Sequence, residues 1–169
     1  MQVLNCVPED LNAIAALYTA ARNHQTLKKM VVWPFFDDAF LLNEIANLQQ
    51  WKLVMDGKLV CNWAISFEDP AIWEERDNGD AIYIHRIATH PDYRGNHFVK
   101  KIVEWARAYA ISINRKFVRL DTLGNNTRLI EHYTASGFNF LGMFLLQHTE
   151  SLPLHYQKEP NCCLFEIAV

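Results

Sequence analysis

The sequence has no apolar run long enough to cross a membrane. A membrane-spanning helix needs about 18 or more consecutive apolar residues, and the 169 residues contain no such run. The first ten residues, MQVLNCVPED, also lack the basic and hydrophobic segments of a secretory signal. We therefore expect neither a membrane span nor a signal peptide, and the sequence predicts a cytoplasmic protein.

The spacing of metal ligands is also missing. The four cysteines form no CxxC pair, and the seven histidines form no HxxxH or HExxH pair, which are the spacings that bring several ligands to one ion. We expect no metal cofactor. Cys162 and Cys163 would point to opposite faces of a strand, so the sequence favours buried free thiols in a reducing compartment over disulfides.

There is no excess of positive charge. The chain has 16 Lys and Arg against 19 Asp and Glu, a net charge of -3. Proteins that bind nucleic acid or anionic membranes use clustered Lys and Arg. The balance therefore predicts neither kind of partner, and it fits a small or cationic ligand better.

The chain does contain enough apolar residues for a packed core. Half of the residues are apolar and about a fifth are charged, an ordinary balance for a globular protein. A chain of this length is one domain by size. The sequence predicts a single domain over residues 1–169.

The first half of the chain alternates between helical and extended patterns. A short strand is predicted at 1–7, and Pro8 then starts a helix. A second helix from Asp37 or Asp38 is expected to bury Phe40, Leu41, Ile45 and Leu48. Residues 51–67 predict a hairpin that turns at Asp56-Gly57, a pair suited to positive φ. The polar segment 68–80 predicts a surface loop in which Trp73 contacts a neighbour or a ligand.

The second half continues the pattern. A strand is predicted over Ala81–Thr89, a helix from Phe98, a strand over 116–122, and a helix that starts at Thr127 and stops at Gly137. Two β-rich runs, 138–148 and 162–169, close the chain. This order is typical of an α+β fold with a mixed, mostly antiparallel sheet.

One stretch raises a chemical question: IHRIATHPDYRGNHFVKKIVEWA, from Ile84 to Ala106. A strand ends, the chain turns at Arg94-Gly95, and a helix begins. Free backbone N–H groups and the positive end of the helix dipole attract phosphate or carboxylate at such a helix start. The alternative is that the turn only redirects the chain and that Lys100 and Lys101 form a solvated face.

A second stretch, NTRLIEHYTASGF, carries a polar pair. Tyr133 follows Asn126 by seven residues, about two helical turns, so both lie on one side of the predicted helix. A phenol there could protonate a leaving group. The alternatives are that Asn126 is a helix N-cap and that Tyr133 is a core aromatic residue.

Together, HPDYRGNHFVKKIVEWA and LDTLGNNTRLIEHYTASGF resemble the GCN5-related N-acetyltransferase (GNAT) superfamily, as does the order of elements along the chain. The resemblance implies a GNAT-like α+β fold with about four helices flanking the central sheet, and acetyl-CoA as co-substrate. It also implies a set of cofactor-binding residues in the strand, the turn and the later helix: Ile87, Ala88, Thr89, Arg94, Gly95, Asn96, His97, Phe98, Val99 and Asn126.

The resemblance further implies a mechanism in which an amine attacks the thioester directly. His85 occupies the place of a base that acts through water, and the backbone near Ile87 supplies a donor to the oxyanion. Tyr133 would protonate the departing CoA thiolate. Trp33 and Phe36 could wall the acceptor pocket, since aromatic faces suit cationic amines, or they could simply pack under loops.

The turn departs from the family pattern, Arg/Gln-x-x-Gly-x-Gly/Ala. Arg94 matches the first position, but His97 and Val99 replace the small residues. Two readings follow: an N-acetyltransferase acting on a primary amine of a small-molecule or amino-acid-like acceptor, or a non-catalytic acyl-CoA sensor. We favour the enzyme, because backbone amides and the helix dipole hold most of the phosphate. The C-terminal β-rich run leaves a homodimer open as an assembly.

Overall fold

The computed structural model describes residues 1–147 and 149–169, and seven strands in them form one mixed, mostly antiparallel sheet. The strands are β1 (Gln2–Asn5), β2 (Gln50–Met55), β3 (Lys58–Ser66), β4 (Ala81–Thr89), β5 (Phe117–Leu123), β6 (Asn139–Leu145) and β7 (Asn161–Ala168). Their order in the sheet is β1-β2-β3-β4-β5-β7-β6. This confirms the predicted fold class.

Among the described residues there are six α-helices, and four of them have nine or more residues. The helices are α1 (Leu11–Leu27), α2 (Asp38–Ala46), α3 (Pro70–Trp73), α4 (Phe98–Ser112), α5 (Thr127–Ala135) and α6 (Leu154–Lys158). The four longer ones are those predicted; α3 is a short helix inside the segment predicted as a loop, and α6 is a short helix between the two β-rich runs that close the chain. No helix in the described ranges combines the length and apolarity needed to cross a membrane.

The residues group into two compact units, and strand β4 contributes to both. The first unit comprises Met1–Ile65 and His85–Phe98, and the second comprises Ser66–Ile84 and Val99–Val169. The single domain over 1–169 stays a prediction.

In the first unit, β1, β2 and β3 pair antiparallel. Asp56 and Gly57 have φ of 50° and 75°, which confirms the predicted tight hairpin because both central residues of such a turn need positive φ. The core of this unit is formed by one face of α1, one face of α2, one residue after β1 and one residue of β4: Cys6, Ile14, Leu17, Tyr18, Leu41, Ile45 and Ala88.

The second unit holds the parallel pair. Residues Ala81–Ile84 of β4 run parallel to β5, and β5, β7 and β6 pair antiparallel. Helix α5 ends as predicted: Gly137 has φ 106°, and the N–H of Phe138 donates to the Tyr133 carbonyl, as at many glycine-terminated helices. Of the predicted run 138–148, His148 lies outside the described residues.

Three expectations about burial were wrong. Phe40 is 41% exposed on α2, and Leu48 is 60% exposed beyond the end of that helix, whereas Leu41 and Ile45 are buried as predicted. Trp73 is not on a surface loop: it is 1% exposed, and its ring centroid lies 5.6 Å from that of Tyr83 in the core of the second unit. The sequence did not reveal the burial of Trp73 because this residue lies in a short, mostly polar segment.

Candidate active site

The turn after β4 keeps a glycine-like backbone although it contains a histidine. Gly95 has φ 83° and His97 has φ 54°. Glycine enters this left-handed region freely, while other residues enter it rarely, with histidine among those enriched there. His97 can therefore adopt the left-handed backbone conformation that a small residue would adopt at this position.

The backbone N–H groups of this turn point away from the chain's own carbonyls where the first unit is described. Within the described part of the first unit, no backbone carbonyl accepts a hydrogen bond from the N–H groups of Gly95 to Phe98. Helix α4 begins at Phe98, so the N–H groups of His97 and Phe98 are among those that a helix leaves unsatisfied at its start, and Gly95 and Asn96 precede them. Val99, the last predicted member of the turn, is buried in the second unit.

Hydrogen bonds fix the segment that leads into the turn. The N–H of His90 donates to the Val60 carbonyl (2.9 Å), and the N–H of Tyr93 donates to the His90 carbonyl (2.9 Å). The side-chain amide of Asn96 donates to the Tyr93 carbonyl (2.8 Å). Asn96, a predicted cofactor-binding residue, therefore helps to hold the conformation of the turn.

Arg94 is exposed and contacts a histidine that sequence reasoning did not single out. Arg94 Nη1 lies 3.2 Å from His24 Nδ1, on α1. Burial lowers the pKa of His24, and the positive charges of Arg94 and Lys28 lower it further. The imidazole is therefore neutral near pH 7 and accepts a hydrogen bond from Arg94. Only its position on α1, 70 residues away in sequence, kept it out of the motif.

The strand before the turn carries His85, Ile87, Ala88 and Thr89. Burial lowers the pKa of His85 to about 3, with a further lowering by Arg86. Its imidazole is therefore neutral at physiological pH and is a weak base. Ala88 packs in the core of the first unit, and Thr89 Oγ1 lies 3.5 Å from Cys61 Sγ.

Arg86 has a left-handed backbone inside this strand, with φ 53°. Its Nη2 forms an ion pair with Glu44 Oε1 on α2. The guanidinium carbon lies 5.0 Å from the ring centroid of Phe36 and 5.3 Å from that of Phe40. Neither Arg86 nor Glu44 was singled out from the sequence; the available signal was one arginine interrupting an apolar strand.

Trp33 and Phe36, the predicted acceptor residues, lie side by side against α1. Both are partly buried, and their ring centroids lie 6.1 Å and 5.2 Å from that of Tyr18. The backbone N–H of Trp33 donates to Gln25 Oε1 (3.0 Å), and its carbonyl accepts from Arg22 Nε (3.0 Å). The segment is thus held by packing and by hydrogen bonds.

In the second unit, Asn126 and Tyr133 occupy α5 as predicted. Asn126 is the N-cap of the helix, and its Oδ1 accepts from the N–H of Leu129 (3.2 Å). The ring of Tyr133 is partly buried; its centroid lies 5.4 Å from that of Phe165 and 6.0 Å from that of Phe138. The phenol is therefore carried on a well-packed ring.

The geometry and the sequence agree with one family. The model of the acetyltransferase (GNAT) family matches residues 54–138, half of the chain. The chain belongs to this family. The family prediction is thus confirmed, and the matched family is one of acetyltransferases.

Relatives of this GNAT chain are distant in sequence. The uncharacterized N-acetyltransferase YesJ of Bacillus subtilis (strain 168) is 24% identical over 74 residues, which are 44% of this chain and 41% of YesJ. The match thus spans about two fifths of that relative.

Solved structures match over nearly the whole chain. A GNAT-family acetyltransferase from Listeria monocytogenes 4b F2365 has a TM-score of 0.79 at 20% identity, covering 99% of this chain and 94% of its own. YncA, a putative acetyltransferase from Salmonella typhimurium solved with its cofactor acetyl-CoA, has a TM-score of 0.69 at 13% identity, covering 99% and 93%. At these identities the likeness shows the fold.

The GNAT chain also has two partly buried acids in its second unit that the sequence did not reveal. Asp121 Oδ2, on β5, accepts hydrogen bonds from the Tyr156 hydroxyl (3.3 Å) and Cys162 Sγ (3.5 Å). Burial raises the pKa of Asp121 to about 6, although these two bonds oppose the shift. Burial raises the pKa of Asp69 to about 8, helped by the charges of Asp121 and Asp77. Such carboxyls exchange protons near neutral pH.

Proposed function

We propose that this chain transfers the acetyl group of acetyl-CoA to the primary amine of a small-molecule or amino-acid-like acceptor. The observation that carries the proposal is the left-handed backbone at His97. This backbone supports the proposal that successive amides of the turn face an anion, although a bulky residue stands where the family has a small one. Anions bind at helix starts chiefly through these amides and the helix dipole.

The cofactor is proposed to lie along the strand and the turn. The N–H groups from Gly95 to Val99 would bind its pyrophosphate, with Arg94 adding positive charge. Ala88 and Thr89 would pair with the pantetheine arm as an added strand does, and Asn126 would contact the cofactor from the start of α5. Acetyl-CoA in the structure of YncA, which shares this fold, supports the choice of cofactor.

The chemistry is proposed to be direct attack of the amine on the thioester carbonyl. The N–H of Ile87 would donate to the oxyanion that forms, and Tyr133 would protonate the CoA thiolate as it leaves. An alkylammonium has a pKa near ~10.4 and must lose a proton first. His85 is too weak a base to hold that proton, since its pKa is lowered to about 3. We propose that the amine loses the proton to bulk solvent as it binds, and that His85 orients the neutral amine through a water.

Ligand-dependent thermal stability tests the proposal. Acetyl-CoA at about a hundred times its Kd should stabilise the protein by ~2.7 kcal/mol, which corresponds to a rise in Tm of roughly 5–10 °C for a chain of this size. Release of free thiol is then measured with a panel of primary amines. Absence of a shift with both acetyl-CoA and CoA would refute the proposal. A shift without thiol release on any amine would favour the non-catalytic sensor, which the substitutions at His97 and Val99 suggest.

His97→Gly separates the backbone of the turn from the imidazole. Glycine adopts the required φ with less strain, so the Kd of acetyl-CoA, measured by calorimetry, should stay within twofold or fall by up to about fivefold, the equivalent of about 1 kcal/mol. Asn114→Gly is a matched control, because Asn114 also has a left-handed φ, of 56°, but follows the end of α4. A large loss of affinity in His97→Gly alone would show that the imidazole itself holds the phosphate.

A further inference from the structure

Arg86 adopts a backbone conformation that an arginine has no intrinsic reason to adopt. Its φ of 53° lies in the left-handed region, and it is the sixth residue of the nine-residue strand β4. Such a conformation at a residue other than glycine persists only where the surroundings impose it. Something other than the local sequence must hold this residue in place.

The side chain of Arg86 is held from two directions. On one side it forms the ion pair with Glu44; the two side chains are only 19% and 12% exposed. On the other side the guanidinium lies over the rings of Phe36 and Phe40, at 5.0 and 5.3 Å. Cation–π contacts and a partly buried ion pair are stronger than their exposed counterparts, because less water screens them.

Glu44 is itself fixed, so it can serve as an anchor. Its Oε2 accepts a hydrogen bond from Gln50 Nε2 (2.8 Å). Gln50 is fully buried, donates to the Tyr18 hydroxyl (3.0 Å) and accepts from Asn62 Nδ2 (3.3 Å). The anchor is thus a polar network that joins α1, α2, β2 and β3.

We infer that Arg86 is a positioning residue: its ion pair with Glu44 holds the left-handed backbone that sets the direction of the Ile87 N–H. That N–H belongs to the peptide group between Arg86 and Ile87, so its direction depends on the backbone dihedral angles of Arg86. The inference rests on the proposed function, in which the Ile87 N–H donates to the oxyanion. The inference means that α2 and the aromatic residues beside it contribute to catalysis indirectly, by holding the backbone of β4.

Two substitutions at Arg86 remove the same side-chain contacts but differ in backbone preference. Arg86→Ala should relax to an extended φ and lose kcat by about 10- to 100-fold, toward the loss seen when an oxyanion donor is removed, with the KM for acetyl-CoA within about twofold. Arg86→Gly adopts positive φ without strain, so its kcat should be at least about tenfold higher than that of Arg86→Ala. Glu44→Gln keeps the shape of the side chain but removes its charge, and it should lower kcat by about threefold or more. Arg115→Ala removes an arginine from another aromatic ring, that of Phe67, and should leave kcat unchanged.

Crystal structures of the two Arg86 variants test the inference without any activity. Residue 86 should be extended in Arg86→Ala and left-handed in Arg86→Gly. A left-handed alanine at position 86, or equal kcat values in the two variants, would overturn the inference. So would a rise in the KM for the amine with kcat unchanged, because Arg86 would then bind the acceptor. If the wild-type protein releases no thiol with any amine, the proposed function fails, while the backbone of the variants still decides whether the ion pair sets the direction of the N–H.

Discussion

Replacing Arg119 by methionine is expected to destabilise the protein by about 3–5 kcal/mol, the usual cost of removing one partner of a buried ion pair. Arg119 is 4% exposed; its Nε donates to Glu166 Oε2 (2.8 Å), and its Nη1 donates to the Arg76 carbonyl (2.7 Å) and to the Tyr83 hydroxyl (3.0 Å). Methionine fills similar space but leaves these acceptors without a donor. The free energy of unfolding in urea measures the loss, and Tm should fall by roughly 10 °C.

Two further variants make this result specific. Lys101→Met removes a charge from the exposed pair with Glu104, whose side chains are 53% and 65% exposed, and should change stability by less than about 0.5 kcal/mol. Adding Glu166→Gln to Arg119→Met should recover part of the loss, since the carboxylate that Arg119 Nε contacts is then neutral and only Asp80, 3.8 Å from Arg119 Nη1, has lost its cation. A loss below about 1 kcal/mol in Arg119→Met would mean that water reaches Glu166 and replaces the guanidinium.

Tyr133→Phe is expected to lower kcat by about 10- to 100-fold, with the affinity for acetyl-CoA within twofold. General acids contribute about 10²- to 10⁴-fold, and an effect at or below the lower end is expected because a thiol of pKa ~8.5 is only a moderately basic leaving group. Phenylalanine keeps the ring packed against Phe138 and Phe165, so the fold should be unaffected. Steady-state rates of thiol release measure the effect.

Tyr109→Phe provides the matched control for Tyr133. Tyr109 is a partly buried tyrosine on α4, stacked on Trp105 with ring centroids 5.3 Å apart, and loss of its hydroxyl should leave kcat unchanged. Equal kcat values for Tyr133→Phe and the wild type would remove Tyr133 from the mechanism and direct attention to another acid.

Local signals made much of the fold predictable. The hairpin at Asp56-Gly57, the bounds of β4 and the end of α5 at Gly137 each depend on the conformational preferences of a few neighbouring residues. Burial was less predictable: Trp73 lies in a polar stretch, and only contacts with distant strands place it in the core. Phe40 and Leu48 follow the helical period, but Phe40 lies at the edge of the buried face of α2 and Leu48 lies beyond the end of the helix. The helical period does not distinguish such positions from buried ones.

The candidate site shows the same division. The turn at Arg94-Gly95 and the pair Asn126 and Tyr133 were found because they are contiguous motifs. Arg86 and Glu44 were missed because they are 42 residues apart and only the folded chain brings them together. The left-handed φ of His97 and Arg86 could not be read from residue type, since neither is glycine.

The four cysteines have a practical consequence for assays. All are free and 3% exposed or less, and burial raises the pKa of every one of them, to about 12 for Cys6 and Cys61. A disulfide reagent such as dithionitrobenzoate needs an accessible thiolate, so the folded protein should contribute little background colour. The same reagent added in denaturant would titrate all four sulfurs and count the unfolded molecules.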